Sequence, residues 1–169
     1  ISLDAEDGEF VPELICAIFD TNDWRSVTNE DIYAVDFIAL HRDSNNYLCA
    51  SYYTLNGDSD QFCSNLTELD PADLKVFIGL EVLYTDEVSY SAEDLYDLKL
   101  LHTLSCSNTP AEVSKIICDP TQISELSLHF QDATADLSGI EAFTNIDNLQ
   151  INAPNTGIVN TELLASMED

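Results

Sequence analysis

The residues with the greatest chemical potential in this sequence are a few histidines, serines and glutamates. His102, Ser105 and Glu125 supply the residue types of a hydrolytic triad, in which serine attacks, histidine takes its proton and a carboxylate orients the histidine. Ser127 and His129 offer a second serine and histidine two residues apart. No nucleophile elbow, glycine-rich phosphate loop or metal-ligand spacing accompanies them. We therefore expect no catalytic residues, no cofactor and no enzyme activity.

Cysteines are the second reactive group. The five are Cys16, Cys49, Cys63, Cys106 and Cys118. They form no Cys-x-x-Cys pair, so a zinc site is not expected, and an odd count leaves at least one thiol unpaired in a single chain. Cys49 and Cys63 are the favoured disulfide pair, with two buried free thiols as the alternative. Cys106 occupies an apolar repeat position and is interpreted as a small buried residue.

A calcium loop is the remaining metal hypothesis. Asp20 and Asn22 could begin one, but Arg25 stands where an EF-hand turn requires glycine. We therefore expect no metal site.

The elements that would position these residues are indicated by an apolar signature at i, i+3 and i+5. It recurs as Phe77-Leu80-Val82, Leu101-Leu104-Cys106, Ile123-Leu126-Leu128 and Ile146-Leu149-Ile151. The intervals are 24, 22 and 23 residues. Such a period predicts units of one short strand and one return segment, as in leucine-rich repeats. The expected fold is an α/β leucine-rich repeat solenoid, right-handed, with short parallel strands on a concave face and an N-terminal helical cap.

Helix-start signals divide the chain into regions. Pro12-Glu13 favours a helix start, and Thr28–Asp31 has the form of a capping box. Similar signals occur at Asp70–Asp73, Ser91–Asp94 and Thr109–Glu112. The predicted regions are an acidic lead-in and N-terminal helical cap over 1–27, repeats over 28–160 with a divergent insertion at about 41–66, and a C-terminal cap over 161–169.

The insertion contains a β-prone run from Tyr47 to Leu55. We expect this run to pair with Ile38–Leu40 as a hairpin through the turn Asp43–Asn46. Asn56-Gly57-Asp58 is a second turn signal.

Two stretches resemble the bacterial internalin-like leucine-rich repeat proteins. Residues Asp136–Asn152 are similar to that family's repeat, in which a short turn precedes a Leu-x-x-Leu-x-x-Leu-x-Leu run. Val11–Leu40 resembles its small N-terminal helix and first repeat strand. The family's asparagine after each strand is replaced here by Thr85, Thr109, Gln131 and Pro154. The resemblance implies a module that binds a protein partner on its concave face.

Residues between the apolar positions would point out of that concave face. The predicted partner-binding residues are Phe37, Ile78, Glu81, Leu83, His102, Ser105, Glu125, Ser127, His129, Asn148 and Gln150. Phe37, Ile78 and Leu83 would be the apolar anchors. The alternative is that all of them are ordinary solvated strand residues.

The charge balance restricts the partner. Thirty-two acidic residues against five basic ones give a net charge of −27, which repels phosphate backbones and anionic lipid. We therefore expect no nucleic-acid binding, no membrane insertion and a protein partner with a basic or mixed surface. Two alternatives remain: the chain imitates nucleic acid and inhibits a basic DNA-binding protein, or the charge only solvates it in a salty habitat.

The compartment is inferred from the start of the chain. Met167 is the only methionine, so Ile1 is not a translational start, and a removed export signal is expected. No apolar run reaches the roughly 18 to 20 residues of a membrane span. We expect the protein outside a bacterial cell, on its surface or in the periplasm.

Overall fold

The computed structural model describes residues 6–85, 95–107, 109, 113–116, 118–130, 134–153 and 157–167. Its α-helices are α1 (Phe10–Ile18) and α2 (Asn29–Tyr33). Its strands are β1 (Val35–Arg42), β2 (Leu48–Thr54), β3 (Ser59–Cys63), β4 (Val82–Thr85), β5 (Thr103–Cys106), β6 (Glu125–His129), β7 (Ala135–Asp136), β8 (Asn148–Asn152) and β9 (Ile158–Val159). Short 3₁₀ segments span Trp24–Ser26, Pro71–Val76, Val113–Lys115, Pro120–Gln122, Ile140–Ala142 and Thr161–Met167. The predicted cap at Ser91–Asp94, and most of the one at Thr109–Glu112, lie outside the described residues.

Seven strands form one mixed sheet in the order β3-β2-β1-β4-β5-β6-β8. Neighbours from β1 through β4, β5 and β6 to β8 are parallel. The hairpin strands differ, because β2 is antiparallel to both β1 and β3. β7 and β9 form a separate parallel pair.

The leucine-rich repeat solenoid predicted from the apolar period is wrong. Such a solenoid needs a sheet of parallel strands, whereas β2 and β3 add two antiparallel strands to the edge beside β1. These strands occupy the stretch 41–66 that the period could not account for. The described return segments contain short 3₁₀ turns and the two-residue strand β7, and among the described residues α-helix occurs at α1 and α2. The fold belongs to the α/β class, and it has a mixed parallel and antiparallel sheet with few helices.

Two rows of side chains run across the parallel strands on the buried face of the sheet. The first row is Ile38, Leu83, Leu104, Leu126 and Leu149, and the second is Leu40, Thr85, Cys106, Leu128 and Ile151. All members from β1 to β6 are at most 2% exposed, and the two members in β8 are half-buried. Cys106 is therefore the small buried residue that the sequence indicated.

The first predicted repeat is out of register by three residues. Leu104 and Cys106 are aligned with Leu83 and Thr85, not with Leu80 and Val82. Because strand side chains alternate between faces, a shift by an odd number moves each of them to the other face. The outward prediction for Leu83 is wrong for this reason, since this side chain is 0% exposed.

Helix α1 packs against the hairpin strands. It begins at Phe10, two residues before the predicted start, and buries Phe10, Leu14 and Ile15. The rings of Phe10 and Phe62 lie 5.9 Å apart between centroids. The capping box at α2 is confirmed: Thr28 Oγ1 accepts the Asp31 N–H, and Asp31 Oδ2 accepts the Thr28 N–H.

The two predicted turns of the hairpin region are also confirmed. Asp43 Oδ1 accepts the N–H groups of Asn45 and Tyr47 at 2.8 and 2.9 Å, and Asn46 has a φ of 67°. Gly57 follows β2 with a φ of 87°, a conformation that glycine adopts without strain. These turns place β2 and β3 beside β1.

Truncating the buried row should destabilise the fold in proportion to burial. Leu126→Ala is expected to lower the free energy of unfolding by about 2–5 kcal/mol, because it leaves a cavity in the core. Leu149→Ala removes the same atoms from a half-buried place in the same row and should cost clearly less. Urea denaturation of the two variants measures both losses. Equal losses would contradict the burial gradient along the row.

The turn carboxylate Asp43 should give a pH-dependent contribution to stability. The Tyr47 N–H, helped by Asn45, holds the pKa of Asp43 below its ordinary value of 3.8. A carboxylate with a lowered folded pKa stabilises the fold above its unfolded pKa, and this contribution is lost as pH falls through the folded pKa. Asp43→Ala should therefore reduce the free energy of unfolding at neutral pH and progressively less below pH 3.8.

Denaturation across this pH range, with Asp97→Ala as an exposed control, provides the measurement. An Asp43→Ala effect of the same size at neutral and strongly acidic pH would show that the carboxylate charge is not what holds the turn.

Candidate functional site

One face of the seven-stranded sheet is turned toward solvent, and we call it the open face. It includes Phe37, Ala39, His41, Ser51, Tyr53, Gln61, Val82, Tyr84, Thr103, Ser105, Glu125, Ser127, His129, Asn148, Gln150 and Asn152, and the register also places Cys49, Ser59 and Cys63 on this side of β2 and β3. These residues alternate with the buried rows, so the register that builds the core also composes this face.

Three aromatic side chains form a cluster on the open face, across β2, β1 and β4. Phe37 lies between the other two, with its ring 4.9 Å from Tyr53 and 5.5 Å from Tyr84, both edge to face. Tyr53 is 51% exposed and Tyr84 is 43% exposed. Edge-to-face contacts fix the rings relative to one another before any partner arrives. We call Phe37, Tyr53 and Tyr84 the aromatic patch.

The open face continues from the aromatic patch into a polar depression of about 350 Å³. Tyr84 forms one wall of this depression. Its other lining residues are Thr103, Leu104, Ser105, Glu125, Leu126, Ser127, His129, Asn148 and Gln150. Ser105, Ser127 and Gln150 stand side by side in one row of paired residues. A partner seated here would meet hydroxyl and amide groups on adjacent strands, next to exposed aromatic rings.

Acidic and imidazole groups lie where the parallel strands begin. Glu81 Oε2 is 3.6 Å from His102 Nε2, and both side chains are about half exposed. His102 Nδ1 lies 3.0 Å from the Thr103 hydroxyl. The Glu81 carbonyl accepts the N–H groups of both His102 and Thr103, which fixes the two residues relative to each other. Glu125 is exposed on the open face beside this pair.

The structure brings most of the predicted site residues together. On the open face lie Phe37, Ser105, Glu125, Ser127, His129, Asn148 and Gln150, and Glu81 and His102 lie at its edge. Ile78 is exposed, but it belongs to the turn before β4. Leu83 is buried in the core. Tyr53 and Tyr84 were missed, although the alternation of Tyr53 in the β-prone run could have identified it.

The hydrolytic constellation is not assembled in the described residues. Neither the Ser105 nor the Ser127 hydroxyl shares a hydrogen bond with a histidine ring in this part of the chain. His129 instead has its backbone fixed, because its N–H donates to Thr109 Oγ1 and its carbonyl accepts the Thr109 N–H, both at 3.0 Å. Across the same residues, no group of three or more His, Cys, Asp or Glu side chains is arranged to hold a metal ion.

The Cys49 and Cys63 sulfurs are bonded as a disulfide at 2.05 Å. The two residues are directly opposite in the β2–β3 pairing, so the bond links neighbouring strands. Next to it, Gln61 Nε2 lies 2.7 Å from His41 Nε2 and connects β3 with β1. The disulfide thus holds β2 and β3 together, and the Gln61–His41 contact ties β3 to β1. Cys16, Cys106 and Cys118 are not disulfide-bonded.

The basic residues lie away from the open face. Arg42 is in β1, but it alternates with the open-face residues and donates to the carbonyls of Asn46 and Thr67. Arg25 pairs with Asp7 at 2.5 Å near α1. Lys75, Lys99 and Lys115 belong to return segments between strands. Among the residues that make up the open face, one carboxylate, Glu125, is therefore present without a lysine or arginine.

No model of a known protein family matches the chain, and no match exists among curated proteins or solved structures. The resemblance to internalin-like proteins therefore stays a prediction. In the described ranges, no helix has the length and apolar character needed to cross a membrane. The geometry of the open face is what remains to support a function.

The cysteine arrangement predicts a definite thiol count. The unfolded, unreduced protein should react with three equivalents of a thiol reagent, and the reduced protein with five. In the folded protein, burial raises the pKa of Cys118 to about 12, so this thiol should not react. Half-buried Cys16 should be modified before Cys106 or Cys118. Mass spectrometry of labelled peptides distinguishes these sites, and five reactive thiols without reductant would contradict the Cys49–Cys63 bond.

Proposed function

We propose that this chain is a non-catalytic protein-binding domain that docks a cationic protein segment on the open face. The observation that carries the proposal is the aromatic patch, which leaves two half-exposed tyrosines around Phe37 on the same face as the exposed Glu125. Tyrosine, tryptophan and arginine dominate the energetics of protein interfaces, and they act from well-packed positions. Two of the three residues of the aromatic patch are tyrosines, and both are already packed against Phe37.

The shape of the open face fits a macromolecular partner. Exposed aromatic rings lie at one end and a shallow polar depression of about 350 Å³ at the other. A partner side chain can be desolvated against Tyr84, while the hydroxyls of Ser105 and Ser127 and the amide of Gln150 bond to its backbone or polar groups. Protein interfaces combine apolar and polar contacts, and the aromatic patch and the depression supply one of each side by side.

Charge selects the chemistry of the partner. The chain has a net charge of −27, and Glu81 and Glu125 flank the aromatic and polar parts of the open face. An arginine in the partner could stack on the Tyr84 ring and still reach a carboxylate, so that one side chain uses both features. The same field repels acidic partners and speeds the approach of basic ones.

The disulfide supports an exported location for this role. The Cys49–Cys63 disulfide would persist in an oxidising compartment such as a periplasm or the exterior of a cell. We therefore place the docking at the bacterial envelope or outside the cell.

Imitation of nucleic acid is the alternative, and the arrangement of acids disfavours it. A mimic needs a continuous strip of carboxylates. The row at the strand starts has Asp36, Glu81 and Asp147, but His102 and Ser124 interrupt it. This break leaves no unbroken line of negative charge along the row.

The proposal is tested by site-specific photo-crosslinking in envelope and secreted fractions. A photoreactive residue at Ser105 should capture a protein partner, and the same residue at Asp97, in a return segment, should not. Tyr84→Ala should then weaken binding of the captured partner by roughly 30-fold, as expected for loss of a hot-spot tyrosine worth about 2 kcal/mol.

Tyr96→Ala is the matched control, because Tyr96 is 49% exposed but lies outside the open face. It should leave the dissociation constant unchanged. Equal losses from Tyr84→Ala and Tyr96→Ala would overturn the docking assignment. Capture of DNA-binding proteins that duplex DNA releases would instead favour the nucleic-acid mimic.

A further inference from the structure

We infer that two copies of this chain pair antiparallel through the free edge of β8, with Gln150 facing Gln150 on a two-fold axis. The inference concerns the edge of the sheet and is independent of docking on the open face. It rests on the direction of the β8 backbone groups, the absence of charge along β8 and the symmetry of its sequence.

The backbone direction follows from the bonds that β8 makes with β6. The Asn148 N–H donates to the Ser124 carbonyl at 3.0 Å, and the Asn152 carbonyl accepts the Phe130 N–H at 2.9 Å. Backbone groups of a strand alternate in direction, so Asn148, Gln150 and Asn152 bond toward β6. The N–H and C=O groups of Leu149 and Ile151 therefore point away from the sheet.

Within the described residues, β8 is the last strand of its sheet, and no hydrogen bond reaches those outward groups. Such a row of free donors and acceptors is a template for another strand. Proteins usually protect an edge strand with charged residues or proline. The other edge of this sheet has that protection, because β3 contains Asp60 and follows Asp58.

β8 lacks this protection in a chain that otherwise has abundant charge. Its sequence is Asn-Leu-Gln-Ile-Asn, without an acidic residue, although 32 of the 169 residues are acidic. Two copies of a chain with a net charge of −27 repel each other over most of their surfaces. An uncharged strand is the place where they can approach at the lowest electrostatic cost.

The sequence of β8 is nearly the same in both directions. In an antiparallel pair centred on Gln150, Asn148 faces Asn152 and Leu149 faces Ile151. Leu149 and Ile151 carry the outward backbone groups, so each exchanges N–H···O=C bonds with its counterpart. Asn and Gln side chains both donate and accept, and therefore self-pair. Asp147 falls opposite Ala153, so no carboxylate faces a carboxylate along the strand pair.

The incomplete burial of two apolar side chains in β8 also supports pairing at this edge. Leu149 and Ile151 are half-buried, whereas Leu126 and Leu128, the preceding members of their rows, are at most 2% exposed. A two-fold axis perpendicular to the sheet keeps the buried face of each copy on the same side. Leu149 and Ile151 would then meet across the axis and complete their burial, and the two open faces would become continuous. Because a two-fold operation closes on itself, the product is a dimer rather than a fibre.

Sedimentation equilibrium over a range of protein concentrations tests this pairing. At about 1 M salt, where the Debye length falls to about 3 Å, the wild-type chain should reach twice its 18.7 kDa mass. Gln150→Glu alone and Gln150→Lys alone each place like charges face to face and should weaken the dimer roughly tenfold or more. Because 1 M salt screens such charges, these variants are compared with wild type at about 0.15 M salt.

Mixing the Gln150→Glu and Gln150→Lys variants should restore association as a heterodimer, because opposite charges then face each other across the two-fold axis. Native mass spectrometry identifies the heterodimer by its mass, and recovery on mixing also shows that both variants are folded. Ser127→Glu and Ser127→Lys are matched controls, since Ser127 is aligned with Gln150 but lies in the inner strand β6. They should leave the dimer intact. A wild-type chain that stays monomeric at every concentration, or a Gln150→Glu variant that dimerises as tightly as wild type, would overturn the inference.

Discussion

The alignment of two buried rows across five parallel strands is the constraint on which the rest of this structure depends. Because each strand has one buried face, its register can change only by an even number of residues without exposing the core. The backbone reinforces the same register. The carbonyls of Glu81, His102 and Ser124 each accept two N–H groups from the next strand, at the same point of each strand. The composition of the open face follows from this register, since every open-face residue is fixed by its buried neighbours.

The sequence allowed prediction of the elements whose signals are local. The apolar period located β5, β6 and β8, and turn residues located the hairpin. The apolar period did not locate β4 correctly, because a polar residue, Thr85, occupies a buried position at which the pattern requires an apolar one. Thr85 tolerates this place because its hydroxyl donates to the Ser105 carbonyl at 3.2 Å. The antiparallel pairing of β2 with β1 was predicted from the turn and is confirmed. The mixed sheet was missed because the hairpin was interpreted as an insertion between repeats and β3 was not predicted.

The candidate site also has one half that the sequence predicts and one half that it does not. Its polar half, from Ser105 to Gln150, could be predicted because β5, β6 and β8 were placed in the correct register. Its aromatic half could not, since the predicted register of β4 was wrong by three residues and gave Tyr84 no place on this face. Tyr53 and Tyr84 are 31 residues apart in sequence, yet both contact the Phe37 ring. The hairpin that overturned the predicted fold is therefore also the element that completes the aromatic patch.

The acidic composition is partly structural and partly a surface property. Asp23, Asp31, Asp43, Asp70, Asp119 and Asp136 each accept at least one backbone N–H at a turn or helix start. The remaining carboxylates make most of the surface repel other acidic surfaces. Added salt should therefore weaken partner binding at the open face and strengthen self-association at the β8 edge. Screening weakens attraction between the open face and a cationic segment, whereas it relieves repulsion between two like-charged copies. Ionic strength thus separates recognition of a foreign partner from self-association, because only the first depends on opposite charge.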